Sequence, residues 1–475
     1  MRWSHSLPAL ALSLLIPVAA QAQPYQSDFP PDEFRARWGR IFDRIGPDAV
    51  AVVQGAPLAR GFVYPRQSNE FYYLCGIETP HAYLALDGRS RTATLYLPPR
   101  NERLERSEGR VLSADDAERV KAVTGADDVR STREMAGEWP ASLGRVAAVY
   151  TPFQPAEGQG ESRGELRAAN LAALDDPWDG RLGREARFVE LVRARFPRAE
   201  VRDLSPVLDE LRSVKSPREV ALVRRASQLA GLGVMEAMRS TEPGVWEYQL
   251  DAAARYVFLV NGARLEGYRS ITASGIDNIN NGHYYRNDRQ AQAGDLVLMD
   301  FAPDYRYYTS DVGRMWSVSG SFLPWQRELL EFVLRYRNET LRRIRPGVSG
   351  QQVHDEVKAA MLPVLEGTAF SKPAYAAAAR RLVETGGGAL SHPVGMAVHD
   401  VGGYRDLLKP GQVFSVDPQL WVPEERLYIR YEDTVVVTET GIENFTDFLP
   451  SELGDIERLV REKGVVQVVP GAPRR

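Results

Sequence analysis

Four acidic residues stand where a folding chain rarely puts them, at or inside apolar, strand-like runs: Asp300 in DLVLMDFA, Asp311 in YTSDVGRMWSV, Asp417 in QVFSVDP and Glu432 in LYIRYEDTVVV. Such runs pack into a core, and a carboxylate taken into a core is costly unless a cation or hydrogen-bond donors meet it. A fold for this chain must either turn each acid outward or bring all four to one place. Taken singly, each has a plain explanation. A strand-end Asp suits a turn, and Glu432 with Arg430 two residues before it suits a cross-strand ion pair. Taken together they form a candidate site. The spacing of Asp300 and Asp311 lets two antiparallel strands present both carboxylates to one spot. Period-two alternation puts Arg430, Glu432 and Thr434 on one strand face and Tyr431 and Asp433 on the other.

The rest of the composition narrows what could meet those charges. One cysteine, Cys75, in 475 residues excludes an internal disulfide, a zinc–thiolate site and an iron–sulfur cluster. Cys75 lies in the apolar stretch FYYLCGI, where burial is expected. Any metal must sit on oxygen and imidazole. There are six histidines, and two of them, His392 and His399, share the decapeptide SHPVGMAVHD. A third, His283, is in the loop-like NNGHYYRND, while His354 on a predicted helix and His81 in a turn read as structural. The candidate metal set is Asp300, Asp311, His392, Asp417 and Glu432. Four carboxylates gathered without cations would repel and raise one another's pKa, so two divalent ions balance the charge better than one. An oxygen-rich set with a single imidazole suits Mn²⁺ and admits Co²⁺, Fe²⁺ or Zn²⁺. The formal charge of −4 argues against nucleic acid as a partner.

Along the chain, Arg2, the apolar run from Leu7 to Ala20 and the small residues of Ala20-Gln21-Ala22 read as a cleaved secretory signal over residues 1–22, giving a periplasmic or secreted protein. No later segment is long and apolar enough to span a bilayer. A first domain with its linker is expected over 23–205, and from Asp32 to about Asp128 it alternates helical and strand-like pieces: DEFRARWGRIFDRI has a helical apolar spacing, and AVAVV, AYLAL and TATLYL read as strands. The stretch from Thr151 to Arg187 is rich in Pro, Gly and charge and reads as an irregular connection. A second domain is expected over 206–455, entered through the capping box Ser216-Pro217-Arg218-Glu219. It runs helices then strands, twice over, with a C-terminal helix and tail at 456–475.

These residues, in this order, resemble the metallopeptidase family of aminopeptidase P, prolidase and methionine aminopeptidase. The stretches that carry the resemblance are RSVKSPREVALVRRA, DLVLMDFAPDYRYYTSDVGR, SHPVGMAVHDVGG and YIRYEDTVVVTETGIENFT, and YPRQSNEFYYLCGIETPHAYL is similar to the companion domain of aminopeptidase P. The resemblance implies an α/β (α+β) chain, with an aminopeptidase P-type N-terminal domain followed by a pita-bread catalytic domain. It implies two divalent ions on Asp300, Asp311, His392, Asp417 and Glu432, with Asp311 and Glu432 bridging. His283 and His399 would line the substrate site, Arg430 would orient a ligand, and Asp417 would handle the proton. Tyr72 falls where a neighbouring subunit's site uses an aromatic, which implies a homodimer or homotetramer. The implied reaction removes the first residue from peptides with proline second. A Xaa-Pro dipeptidase, a non-catalytic peptide-binding protein and a hydrolase of non-peptide substrates are the alternatives. Two positions depart from the family pattern: Asp417 stands where a glutamate is usual, and Gly388 where a histidine is common. The run Gly386 to Gly388 suggests a mobile flank to the site.

Overall fold

The computed structural model describes residues 26–468, apart from 60, 404 and 405. The expected leader and the final tail lie outside the described residues. The first helix, Pro31–Ile45, buries Phe34, Trp38, Ile41 and Ile45, the face its apolar spacing predicts. It packs beside a six-stranded sheet whose order is Asp128–Ser131, Thr92–Leu97, Tyr83–Asp87, Ala49–Gln54, Ala148–Thr151, Glu200–Asp203. The central hairpin is antiparallel and the outer pairings are parallel. The three runs read as strands are strands, and Cys75 is buried at 1% exposure.

The capping box at Ser216 forms as its sequence requires. The Glu219 carboxylate accepts from the Ser216 N–H at 2.9 Å, and Ser216 Oγ accepts from the Glu219 N–H at 3.3 Å. With Pro217 at the first turn, these contacts start the helix Pro217–Arg239, which leads into the C-terminal half. Helices Pro217–Arg239 and Glu247–Val260 precede the antiparallel strands Ile271–Ser274, Leu296–Asp300 and Gly313–Ser317. Helices Pro324–Arg343, Gly350–Gly367 and Pro373–Thr385 then precede the strand Val413–Val416, which pairs with Asp433–Val437. One large core, including Leu229, Val297, Trp316, Leu330 and Val435, fills this half. A second core crosses the domain boundary, joining Phe34, Phe71 and Leu95 to Tyr308, Val394 and Met396. Among the described residues no helix is long and apolar enough to cross a membrane.

Three expectations are corrected here. The stretch from Thr151 to Arg187 is not an irregular connection. It carries the helix Arg163–Asp175 and the start of the helix Arg184–Arg195. Proline and glycine mark only the turns between them. LYIRYEDTVVV is not one strand: Leu427–Arg430 pairs with Gln419–Val422, the chain breaks at Tyr431 and Glu432, and Asp433–Val437 joins a different sheet. The three glycines at 386–388 do not form a loose flank. All have positive φ, and the backbone N–H of Gln419 donates to Gly387 O at 3.0 Å while that of Asp417 donates to Ala389 O at 3.0 Å.

Candidate active site

Strand pairing delivers the first two carboxylates. Asp300 ends the central strand of its sheet, opposite Gly313, so Asp311 lies just past the end of the neighbouring strand on the same side. Both are buried, and the buried Tyr268 hydroxyl lies 2.6 Å from Asp300 Oδ1 and 2.8 Å from Asp311 Oδ1. Glu432 enters from the break between two sheets. Ser415 Oγ donates to its Oε1 at 2.6 Å, and Thr434 Oγ1 accepts from the Asp311 N–H at 2.9 Å. Arg430, Glu432 and Thr434 therefore share one side, as alternation predicts, while Asp433 faces away to Arg314 and Arg337.

Arg430 lies inside the cluster. Its guanidinium reaches Asp300 Oδ2 at 2.8 Å, Asp417 Oδ1 at 2.9 Å and Glu432 Oε2 at 2.5 Å. One guanidinium cannot neutralise four buried acids. The carboxyl of Asp311 is pushed well above its usual range, first by burial and then by repulsion from Glu432 and Asp300. Asp417 and Glu432 are also pushed up, chiefly by burial, with Arg430 pulling the other way. Burial first, then His399 and Arg430, lowers His392 to about 4.

These charges fit a divalent ion. His392 Nδ1 lies 3.2 Å from the Pro393 carbonyl, which makes Nδ1 the donor of a neutral ring. Its other nitrogen, Nε2, then turns a lone pair toward Asp311 Oδ2 at 3.1 Å, and two acceptors at that distance need a proton or a cation between them. Ligand atoms of Asp311, His392 and Glu432 all lie within 4.8 Å of one another. The carboxylates of Asp300 and Asp417 adjoin this trio through Arg430.

The cluster opens on a cavity of about 490 Å³ lined by Tyr268, His283, Asp300, Asp311, His399 and Arg430. Another part of its wall comes from the helix Arg163–Asp175, through Glu165, Leu166 and Ala169. His283 is exposed at this wall, and the rings of His392 and His399 meet edge to face at 4.3 Å. A larger cavity of about 780 Å³ in the N-terminal domain, lined by Tyr83, Trp139 and Phe188 among others, offers no carboxylate or imidazole for this chemistry.

Every sequence-predicted site residue but one reaches this region. Tyr72 does not. It is 4% exposed and its ring stacks on Tyr307 of its own chain at 3.4 Å, so it has no face to offer a second subunit. Tyr268 and the helix from Arg163 escaped sequence reasoning. The tyrosine in EGYRS has no periodic or charge signature, and the helix reads as linker. Gln419 was also missed. Its Nε2 donates to Asp417 Oδ2 at 2.5 Å, and a Cβ on Gly388 would lie 3.7 Å from the same nitrogen.

An α/β N-terminal domain in front of a pita-bread domain, with buried carboxylates and a histidine grouped at the base of a cleft, defines a metal-dependent hydrolase. Residues 221–439 match metallopeptidase family M24, and residues 34–150 match the aminopeptidase P N-terminal domain. The chain is 31% identical to the Xaa-Pro aminopeptidase of Escherichia coli, with 91% of this chain and 98% of that one covered. It is 30% identical to the Xaa-Pro aminopeptidase of Haemophilus influenzae, covering 92% and 99%. The solved structure of E. coli aminopeptidase P with the inhibitor Pro-Leu superposes with a TM-score of 0.73 at 29% identity, over 91% of this chain and 99% of that one. The chain belongs to the aminopeptidase P family, the metallo-aminopeptidases of family M24.

Proposed function

We propose that the protein hydrolyses the first peptide bond of peptides whose second residue is proline. The observation that carries this is the buried Asp300, Asp311, His392, Asp417 and Glu432 cluster at the base of a cavity with His283 and His399 in its wall. Support comes also from the two Xaa-Pro aminopeptidases aligned over nearly their whole length. Asp311, His392 and Glu432 would hold one divalent ion, and Asp300 with Asp417 would complete a second site beside it. Such ions supply Lewis acidity, polarising a peptide carbonyl and acidifying water. We favour Mn²⁺ for this oxygen-rich set.

The chain's own groups do the rest. Asp417, held at Oδ1 by Arg430 and at Oδ2 by Gln419, takes up the proton released as water attacks. His399, on the cavity wall, meets the substrate near the scissile bond. Tyr268 keeps the two aspartates from swinging apart. Proline's nitrogen has no hydrogen to donate, so recognition rests on ring shape and on flanking contacts. The expected result with Mn²⁺-loaded protein is release of the first residue from a Xaa-Pro-Xaa tripeptide. Failure to release it, with bound metal verified, overturns the reading. Cleavage of a Xaa-Pro dipeptide alone points instead to a dipeptidase.

Export to the periplasm or medium, supported by residues 1–22 alone, belongs to the same proposal. N-terminal sequencing of the mature protein near Gln23 tests it. A homodimer or homotetramer, which the resemblance implied through Tyr72, loses that support with the ring stacked inside its own chain, and light scattering tests it.

A further inference from the structure

The helix Arg163–Asp175 walls the cavity yet has no buried residue of its own. Its start is held by charge. The Arg163 guanidinium contacts Glu70 Oε1 at 2.6 Å and Glu157 Oε1 at 3.2 Å. On the facing loop, Asp400 is held by Arg212 at 2.5 Å and Lys215 at 3.1 Å, all three side chains being 1% exposed. Arg212 also reaches Glu157 at 3.0 Å, so the helix start and the loop belong to one buried network. The His399 N–H donates to Ser162 Oγ at 3.3 Å across the same junction.

This network pins the backbone of His399 but not its imidazole, which is 39% exposed. Among the described residues the ring has an edge contact with His392 and one hydrogen bond, from Nδ1 to Glu165 Oε1 at 2.8 Å. The Glu165 carboxylate is held below its usual range: partial burial pushes it up, but its own backbone N–H and His399 outweigh that. An ionised carboxylate only accepts, so Nδ1 must carry the hydrogen, and Nε2 is the nitrogen left to the cavity. Without an acceptor at Glu165 the ring is free to turn about its side-chain bonds and to change tautomer.

We propose that Glu165 is a positioning residue for His399: a carboxylate on the interdomain helix fixes the tautomer and orientation of the imidazole that meets the substrate. The inference rests on the aminopeptidase reading above. It assigns a role to a helix whose sequence looks like a linker, and to a contact between residues 234 positions apart.

The test compares full-length wild type, Glu165→Ala and Glu165→Gln. Each is assayed on a Xaa-Pro-Xaa tripeptide and examined by long-range ¹⁵N-histidine NMR at a pH where imidazole is neutral. Glu165→Ala is expected to lower kcat about tenfold with KM changed less than about twofold, the usual scale for losing an outer partner of a site histidine. Glu165→Gln, whose amide oxygen still accepts from Nδ1–H, is expected to keep most of kcat. The spectra should show the Nδ1–H form of His399 in wild type and Glu165→Gln, and its loss in Glu165→Ala. Glu165 is exposed, so thermal stability should not move. A Glu165→Ala enzyme with wild-type kcat, or an unchanged His399 signal in that variant, overturns the proposal. A wild type that cleaves nothing overturns the activity reading instead, and the NMR comparison still decides whether Glu165 sets the tautomer.

Discussion

Tyr268 and Asp417 are the residues on which the metal chemistry turns most directly. The Tyr268 hydroxyl has one hydrogen and two carboxylate neighbours, at 2.6 and 2.8 Å, in a cluster whose other side-chain donors to the acids are Arg430, Gln419 and Ser415. Tyr268→Phe leaves the volume unchanged and removes that donor, so it is expected to weaken Mn²⁺ binding by about tenfold, as loss of an outer-shell partner usually does. Titration calorimetry on the apoprotein measures it, and an unchanged Kd contradicts the role given to the hydroxyl. Asp417 is one methylene shorter than the glutamate common in the family, and both its oxygens are engaged, by Arg430 and Gln419. Asp417→Glu should lengthen the reach toward the trio of Asp311, His392 and Glu432 and raise the number of ions held per chain. Elemental analysis at matched Mn²⁺ activity reads this out, and equal stoichiometry in the two proteins would count against Asp417 as a weak ligand. Most of this cluster was legible in sequence because acids in apolar strands are conspicuous. The central place of Arg430 was not, since two-residue spacing says only that it shares a face with Glu432.

Among the elements, the helix Arg163–Asp175 is the one whose function is least written in its sequence. SRGELRAANLAAL has no continuous apolar stripe, and the glycines and prolines around it look like linker. What makes it an active-site wall is where its first turn is anchored. Leu166 is half-buried and lines the cavity, so Leu166→Trp is expected to fill part of the space and raise KM for the tripeptide several-fold, leaving kcat little changed. Steady-state kinetics checks this, and an unchanged KM would mean that the substrate does not approach this wall. By contrast, the helix from Pro217 was legible in full, because a capping box, a first-turn proline and a 3.6-residue apolar period are local signals that no distant contact needs to supply. The broken strand at Tyr431 lies between these cases. Alternation predicted which side chains share a side, but the switch from one sheet to another depends on two separate partner strands.

At the scale of the whole molecule, the two domains meet through apolar packing and through the buried charges of Glu157, Arg163, Arg212, Lys215 and Asp400, with the Glu70 carboxyl set among them. Glu70 is pushed up to about 8, first by burial and then by the Glu157 carboxylate beside it. Between the ordinary glutamate value of 4.5 and about 8, the unfolded chain has released this proton while the folded chain keeps it. Stability should therefore fall as pH rises across that window, by at most about 1.4 kcal/mol per pH unit for one proton. Glu70→Gln removes the titration, and its melting temperature should decline less than that of wild type from about pH 5 to 8. Parallel curves for the two proteins would refute a retained proton at Glu70. The sequence by itself determined the chemistry available: oxygen and imidazole ligands without thiolates, strands that carry acids, helices with their caps. Those follow from residue type and short-range period, which act over a few positions. Only the tertiary structure decided that Arg430 sits among the acids, that Tyr268 joins two of them, that Tyr72 is sealed against Tyr307, and that a linker-like helix reaches His399. Each of these is a contact set by how separate elements pack, and it leaves no local pattern in the chain.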